Sequence, residues 1–112
     1  MPTDPAQLHE DAGVFDAHSD ILYAAVREHR VGTEGVVEEQ FLPEMRAGGV
    51  DMRVAPIYLD ADEAREPATR RALGIAETFH REIEGSDALE AATTAREVRD
   101  GADSDAVTLL LG

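Results

Sequence analysis

A histidine and an aspartate two residues apart, His18 and Asp20, are the residues of this chain best suited to chemistry. They follow a short apolar stretch over residues 13–17 that predicts a β-strand. Side chains at positions i and i+2 of an extended chain lie on the same face, so an imidazole nitrogen and a carboxylate oxygen would stand side by side. Such a pair can supply two ligands to a divalent metal such as zinc. A solvated loop pair or a hydrogen-bonded core histidine would show the same spacing.

The length and composition predict one globular domain or part of one. The chain has 112 residues, of which 43% are hydrophobic, a fraction typical of folded proteins. It has no cysteine, which excludes disulfides and thiolate metal sites. Any metal must therefore be held by histidine and carboxylate side chains.

The charge balance is strongly acidic, with a net charge of -14, and all ten basic residues are arginine. An acidic surface without lysine predicts a halophilic, salt-adapted protein; an ordinary acidic protein encoded by GC-rich codons is the alternative. Either interpretation disfavours a nucleic-acid partner, because binding to a phosphate backbone depends on basic side chains that release counterions.

The first twelve residues are polar and include Pro2 and Pro5, which predicts a flexible arm over 1–12 in front of a domain over 13–112. The arm lacks the basic and apolar regions of a secretory signal. No stretch approaches the ~20 apolar residues of a membrane helix. We therefore expect a cytoplasmic protein with no membrane segment.

The hydrophobic pattern predicts strands that alternate with helices, as in α/β folds. The predicted strands cover residues 13–17, 50–59 and 106–111. The last of these is apolar throughout, which is typical of a parallel strand buried on both faces. Pro56 cannot donate to a strand ladder, so it belongs at the end of the second strand or at a bulge.

Helices are predicted over residues 21–30 and 67–84, and a short helix or turn interrupted by Pro43 is predicted over 38–47. A short extended piece covers residues 89–92. Thr94 and Glu97 have the spacing of a capping box that opens a small helix ending near Gly101. The helix over 67–84 carries a predicted apolar stripe made of Leu73, Ala76, Phe79, His80 and Ile83.

The other three histidines are not predicted to bind metal. His9 lies in the polar arm and His29 lies near the end of a predicted helix. His80 lies on the predicted apolar stripe, where a packed histidine is the expected role.

Three segments, in order, resemble the signatures of the membrane (renal-type) dipeptidases, zinc peptidases built on a β/α barrel. Residues 15–21, FDAHSDI, resemble the Asp-x-His-x-Asp-hydrophobic opening of that family. Residues 41–50, FLPEMRAGGV, resemble its Leu-Pro-x-hydrophobic-Arg-x-Gly-x-Val signature, and residues 108–112 resemble its third strand. The resemblance covers residues 14–112.

This resemblance implies an α/β fold that forms the opening three β/α units of a TIM-type barrel, incomplete in this chain. It implies that His18 and Asp20 are metal ligands and that Asp16 orients a ligand, although an aspartate that caps the backbone is an equally good interpretation of Asp16. The complete protein would hold two zinc ions and hydrolyse dipeptides. Gly48 and Gly49 match a structural turn of the second signature.

The chain also departs from the family pattern. The glutamate that bridges the two metals would follow Gly112, and two further histidine ligands come from later strands. Asp51, Arg53 and Ala55 stand where the family has small, amide and aromatic residues. We therefore expect this chain to be an N-terminal fragment that is inactive alone, since a catalytic zinc needs about three protein ligands.

Three alternatives remain open at this stage. The chain is a non-enzymatic remnant or split-protein module, completed by a complementing chain or a second copy that pairs with an exposed strand edge at residues 107–111. It belongs to another metal-dependent, amidohydrolase-like barrel enzyme. It is a small acidic α/β domain without a site.

Overall fold

Parallel strands alternate with helices along the chain. The computed structural model describes residues 4–62 and 67–112. Its elements, in chain order, are α1 (Pro5–Asp11), β1 (Phe15–Asp16), α2 (Ile21–His29), a π-helical turn (Val37–Phe41), α3 (Leu42–Ala47), β2 (Met52–Ala55), α4 (Ala68–Glu84), β3 (Leu89–Ala91), α5 (Ala95–Ala102) and β4 (Val107–Leu111). All strand pairs are parallel, in the order β1-β2-β4-β3. The predicted α/β class with a parallel sheet is confirmed.

Strand β4 lies inside the sheet. Its Leu109 pairs with Arg53 of β2 on one side and with Ala91 of β3 on the other. The prediction of an exposed edge at residues 107–111 is therefore wrong. The residues predicted as a short extended piece form β3, and they cover that edge over Val107, Thr108 and Leu109.

The two faces of the sheet carry different helices. Leu109 is fully buried in a core that it shares with Ile21 of α2 and Phe79 of α4. Its neighbour Thr108, which lies on the opposite face of the strand, meets Gly101 of α5. From β2 the chain passes beyond the position of β4 to form β3, and it then returns to form β4. Because both connections are right-handed, the helix of the outward connection, α4, and that of the return, α5, lie on opposite faces of the sheet.

Helix α5 begins at the predicted capping box, which is confirmed. The Thr94 hydroxyl accepts a hydrogen bond from the backbone N–H of Glu97 at 3.2 Å, and the Glu97 carboxylate accepts the backbone N–H of Thr94 at 3.2 Å. Hydrogen bonds from the backbone and the hydroxyl of Thr93 to the same carboxylate lower the pKa of Glu97. The negative charge also suits the positive end of the helix.

Part of the predicted flexible arm is helical. The Asp4 side chain accepts the N–H of Ala6 at 3.2 Å and Pro5 occupies the first turn, two features that favour a helix start. None of the residues of α1 is buried. Helix α1 meets the rest of the fold where Nε2 of His9 lies 2.8 Å from the carbonyl oxygen of Gly48.

Pro43 does not interrupt its helix. The preceding turn is π-helical, and its wider spacing allows the N–H of Leu42 to reach the carbonyl of Val37 five residues back. Pro43 then lies in the first turn of α3, where a missing N–H is tolerated. The helix ends at Gly48, and Gly49 adopts a left-handed φ of 67° that directs the chain toward β2.

The buried face of α4 differs from the predicted stripe. Leu73 is 66% exposed and His80 is exposed, and of the predicted stripe only Phe79 belongs to the buried core. The helix instead buries Ile75, Thr78, Phe79 and Glu82. Ile83 packs against the core and Ala76 is half-buried, so the prediction is wrong at Leu73 and His80, and it missed the two polar members of the buried face.

Glu82 explains why a carboxylate belongs on this face. Its side chain is almost fully buried and joins three segments. Oε1 lies 2.5 Å from Nε2 of His29 and accepts the N–H of Val36 at 3.1 Å, while Oε2 accepts the N–H of Val37 at 2.8 Å. Backbone donors at the start of a helix have no partner within it, and Glu82 supplies one.

We predict that Glu82→Ala destabilises the chain by about 3–5 kcal/mol, because three buried donors lose their acceptor together. Chemical denaturation followed by circular dichroism measures this loss. Glu84→Ala, which removes an exposed carboxylate of the same helix, is the matched control and should change stability by less than about 0.5 kcal/mol. Equal effects of the two substitutions would show that the Glu82 contacts do not stabilise the fold.

We also predict that Gly101→Ala destabilises the packing of α5 on the sheet by about 1–3 kcal/mol. A methyl group at this position would lie 3.2 Å from Cβ of Thr108, which is fully buried. Gly74→Ala in α4 is the control, because no atom lies within 4 Å of the added methyl. It should raise the unfolding free energy by about 0.5–1 kcal/mol, and a loss at Gly74 as large as that at Gly101 would contradict the packing argument.

Candidate metal centre

The chain turns sharply where β1 ends. Oδ1 of Asp16 accepts the backbone N–H of His18 at 3.1 Å, an aspartate turn that bends the chain within two residues. The next residue, Ser19, donates its backbone N–H to the carbonyl of Val54 on β2 at 3.0 Å. These two hydrogen bonds fix the backbone on both sides of the His18 side chain.

The turn brings together the predicted ligands His18 and Asp20. Nε2 of His18 lies 3.4 Å from Oδ1 of Asp20, and the two side chains are 67% and 51% exposed. The interpretation of His18 as a core histidine is therefore wrong. An exposed contact of this kind contributes little to stability, and its exposure is also that of the solvated loop pair left open by the sequence.

Asp20 stands at the start of a helix but does not make the bond usual for an aspartate there. It is the residue that caps the start of α2, where an aspartate normally accepts a hydrogen bond from the first turn of the helix. Its side chain makes no such bond. The carboxylate instead faces His18 and is available to a ligand from solvent.

The separation of the two donor atoms suits one metal ion. Zinc binds histidine nitrogen and carboxylate oxygen at about 2.0–2.2 Å in tetrahedral geometry, which places two donors about 3.4 Å apart. The 3.4 Å between Nε2 of His18 and Oδ1 of Asp20 equals that donor separation. Within residues 4–62 and 67–112, no group of three or more histidine, aspartate or glutamate side chains could hold a metal ion.

Asp16 is engaged elsewhere and adds no third donor. Besides the bond from His18 to Oδ1, its Oδ2 lies 3.2 Å from Nε of Arg53 on β2. The carboxylate thus holds the backbone of a predicted ligand. Arg53 was recognised in the sequence only as a departure from the family pattern, because nothing local indicates that it reaches β1.

The remaining histidines lie apart from this turn. His29 is bonded to Glu82, and His9 contacts the carbonyl of Gly48. His80 meets the ring of Phe79 edge-on, with centroids 5.4 Å apart. The structure thus gives each of them a contact unrelated to His18 and Asp20.

The carboxyl ends of β2 and β4 adjoin the same edge of the sheet. The N–H of Ile57 donates to the carbonyl of Gly112 at 2.6 Å, and the N–H of Gly112 donates to that of Ala55 at 3.1 Å. Since β1 is parallel to β2, His18 and Asp20 lie at this edge too. In β/α barrels this is the edge that carries active sites.

A cleft of about 220 Å³ lies between α2, α4 and the segment after β2, and no residue of the turn lines it. The hydroxyl of Tyr23 donates to Oδ2 of Asp60 at 2.9 Å, and the rings of Tyr23 and Tyr58 meet edge-on at 5.8 Å. These contacts join the first turn of α2 to the segment after β2, and sequence spacing does not reveal them.

Among the residues that the structure describes, no helix has the length and apolar character needed to cross a membrane.

Comparison with known proteins gives a likeness in fold. No family model matches the chain, and no curated protein matches it. A solved structure, described as the dipeptidase AC, a metallopeptidase of family M19, superposes with a TM-score of 0.70 at 23% sequence identity. The match covers 88% of this chain and 34% of that one. The chain therefore has the fold of about one third of that protein.

Proposed function

We propose that this chain is the amino-terminal part of a zinc-dependent hydrolase that cleaves dipeptides. The observation that carries the proposal is the Asp20 carboxylate, which stands at a helix start without capping it and lies 3.4 Å from His18. The fold likeness to a metallopeptidase supports the same conclusion, as does the place of the pair at the carboxyl end of a parallel strand.

Three residues of the turn have roles in the proposed site. His18 binds metal through Nε2 and Asp20 binds it through Oδ1, while Asp16 holds the His18 backbone in place. Zinc, when bound, makes water a stronger nucleophile near neutral pH and polarises the carbonyl of the scissile amide. The exposure of both ligands leaves the metal open to a dipeptide from solvent.

The remaining ligands must come from outside the described residues. A catalytic zinc has three protein ligands in most enzymes, and this turn supplies two. The chain spans about a third of the M19 metallopeptidase that it matches. We propose that further strands, on the same polypeptide or on a partner chain, supply the other ligands for two zinc ions.

We predict that Co²⁺ binds the chain at His18 and Asp20 with a dissociation constant near millimolar, because two ligands give weak binding. Paramagnetic broadening of NMR signals should begin at residues 16–20. His18→Ala and Asp20→Asn should each weaken binding about tenfold, since either leaves one ligand. The controls His80→Ala and Asp87→Asn remove an exposed histidine and an exposed aspartate elsewhere and should leave the broadening unchanged. Broadening that persists in both ligand variants would refute the site.

We further predict that the purified 112-residue chain, supplied with Zn²⁺, does not hydrolyse dipeptides above background, because its described residues form only part of a site. Release of amino acids from a panel of dipeptides measures this. The native polypeptide that carries these residues, purified from its own cell, should show the activity and lose it on chelation. An intact mass near 12.1 kDa for that active species would direct the search to a partner chain. A metal-independent activity would contradict the proposed function.

A further inference from the structure

Arg53 lies next to the candidate metal centre on the neighbouring strand. In the parallel register of β1 and β2 it stands directly beside Asp16. The two side chains are mostly shielded from solvent, 16% exposed for Arg53 and 34% for Asp16. Charges in such a position interact more strongly than they would at an open surface.

The contact between them is an ion pair. Nε of Arg53 lies 3.2 Å from Oδ2 of Asp16, but this buried nitrogen makes no hydrogen bond. The N–H of Arg53 is therefore not aimed at the carboxylate, and the attraction is that of opposite charges. The other oxygen of Asp16 accepts the backbone N–H of His18.

A chain of contacts thus leads from β2 to the predicted ligand. Arg53 holds one oxygen of Asp16, and the second oxygen holds the backbone of His18 at the end of β1. Without a cation beside it, the Asp16 carboxylate would be held by the His18 N–H alone and would order the turn less firmly.

We propose that Arg53 is a positioning residue for the metal centre, acting through Asp16 to fix the backbone of His18. The proposal rests on the proposed function, since it assumes that His18 is a ligand. The proposal gives a role to Arg53, which stands where the resembled family has an amide.

The direction in which cation affinity changes when Arg53 is removed distinguishes positioning from simple electrostatics. A positive charge near a cation site weakens cation binding, so removing Arg53 would by charge alone strengthen it. Positioning acts in the opposite direction, because a loosened turn must be ordered again when the metal binds. A loss of affinity on removal of Arg53 is therefore a result that charge alone cannot produce.

The experiment compares the 112-residue chain with its Arg53→Met and Arg53→Lys variants. The first measurement needs no metal: hydrogen exchange at the His18 amide, followed by NMR, reports the bond to Asp16. In Arg53→Met we expect this exchange to be about fivefold faster, as for one weakened hydrogen bond. The second measurement is the Co²⁺ dissociation constant at the turn, which should rise by a similar factor of about five.

Two further variants make the result specific. Arg53→Lys keeps the charge beside Asp16 and should restore both values to within about twofold. Arg46→Met removes an equal charge from the end of α3, where Nη2 lies 3.4 Å from the carbonyl of Asp105, and should change neither value. Thermal unfolding of every variant shows that the compared chains are folded.

The outcomes separate this proposal from the proposed function. Tighter Co²⁺ binding in Arg53→Met, or unchanged exchange at His18, would overturn the positioning role even if the metal binds as expected. Absence of Co²⁺ binding at His18 and Asp20 in the parent chain would overturn the proposed function. In that case, faster exchange at His18 in Arg53→Met would still show that Arg53 orders the turn.

Discussion

The buried carboxylate of Glu82 is the contact on which the helical layer of this protein depends. A charge removed from water costs several kcal/mol unless its oxygens are fully hydrogen-bonded, and here an imidazole and two backbone N–H groups surround it. Those donors come from the end of α2 and from the entry to the π-helical turn. The contact therefore ties two other segments to one point of α4, and Val36 and Val37 enter the core beside it.

The two ends of α2 are held in different ways. The helix is held at its carboxyl end by His29 and along its buried side by Ile21 and Leu22. At its start the helix has no side-chain cap from Asp20, whose carboxylate faces His18. The turn before the helix is fixed by the bonds of the His18 and Ser19 amides to Asp16 and Val54.

The sequence predicts those parts of the fold that depend on neighbouring residues. The apolar run that ends at Leu111 forms a strand as expected, and Thr94 and Glu97 form the capping box, because both features follow from local spacing. The helices over 21–29 and 68–84 were predicted to within about two residues for the same reason. The place of His18 and Asp20 at a strand end also follows from a local pattern.

The other parts of the fold and of the candidate site depend on contacts between residues that are far apart in the sequence. Glu82 meets His29 across 53 positions of the chain, so a carboxylate amid apolar neighbours looks like a surface residue until the partner is known. The pairing of β3 with β4 is equally hidden, because three residues carry little pattern of their own. Arg53 reads as an isolated departure until the register places it beside Asp16.

The abundance of acidic residues, 24 in all, makes the candidate site hard to recognise from composition. In the structure, four of these acidic residues can be distinguished by the groups that their carboxylate oxygens contact. Asp51 accepts the N–H of Val14 at 2.8 Å, Asp16 accepts that of His18, and Glu97 caps a helix, so each carboxylate replaces a backbone partner. Asp20 stands at a position where the same use was open to it, yet its side chain faces an imidazole instead. A carboxylate at a helix start that bonds no backbone group and faces a histidine is more specific than any count of acidic residues, because an aspartate there normally stabilises the helix by about 1 kcal/mol through a cap.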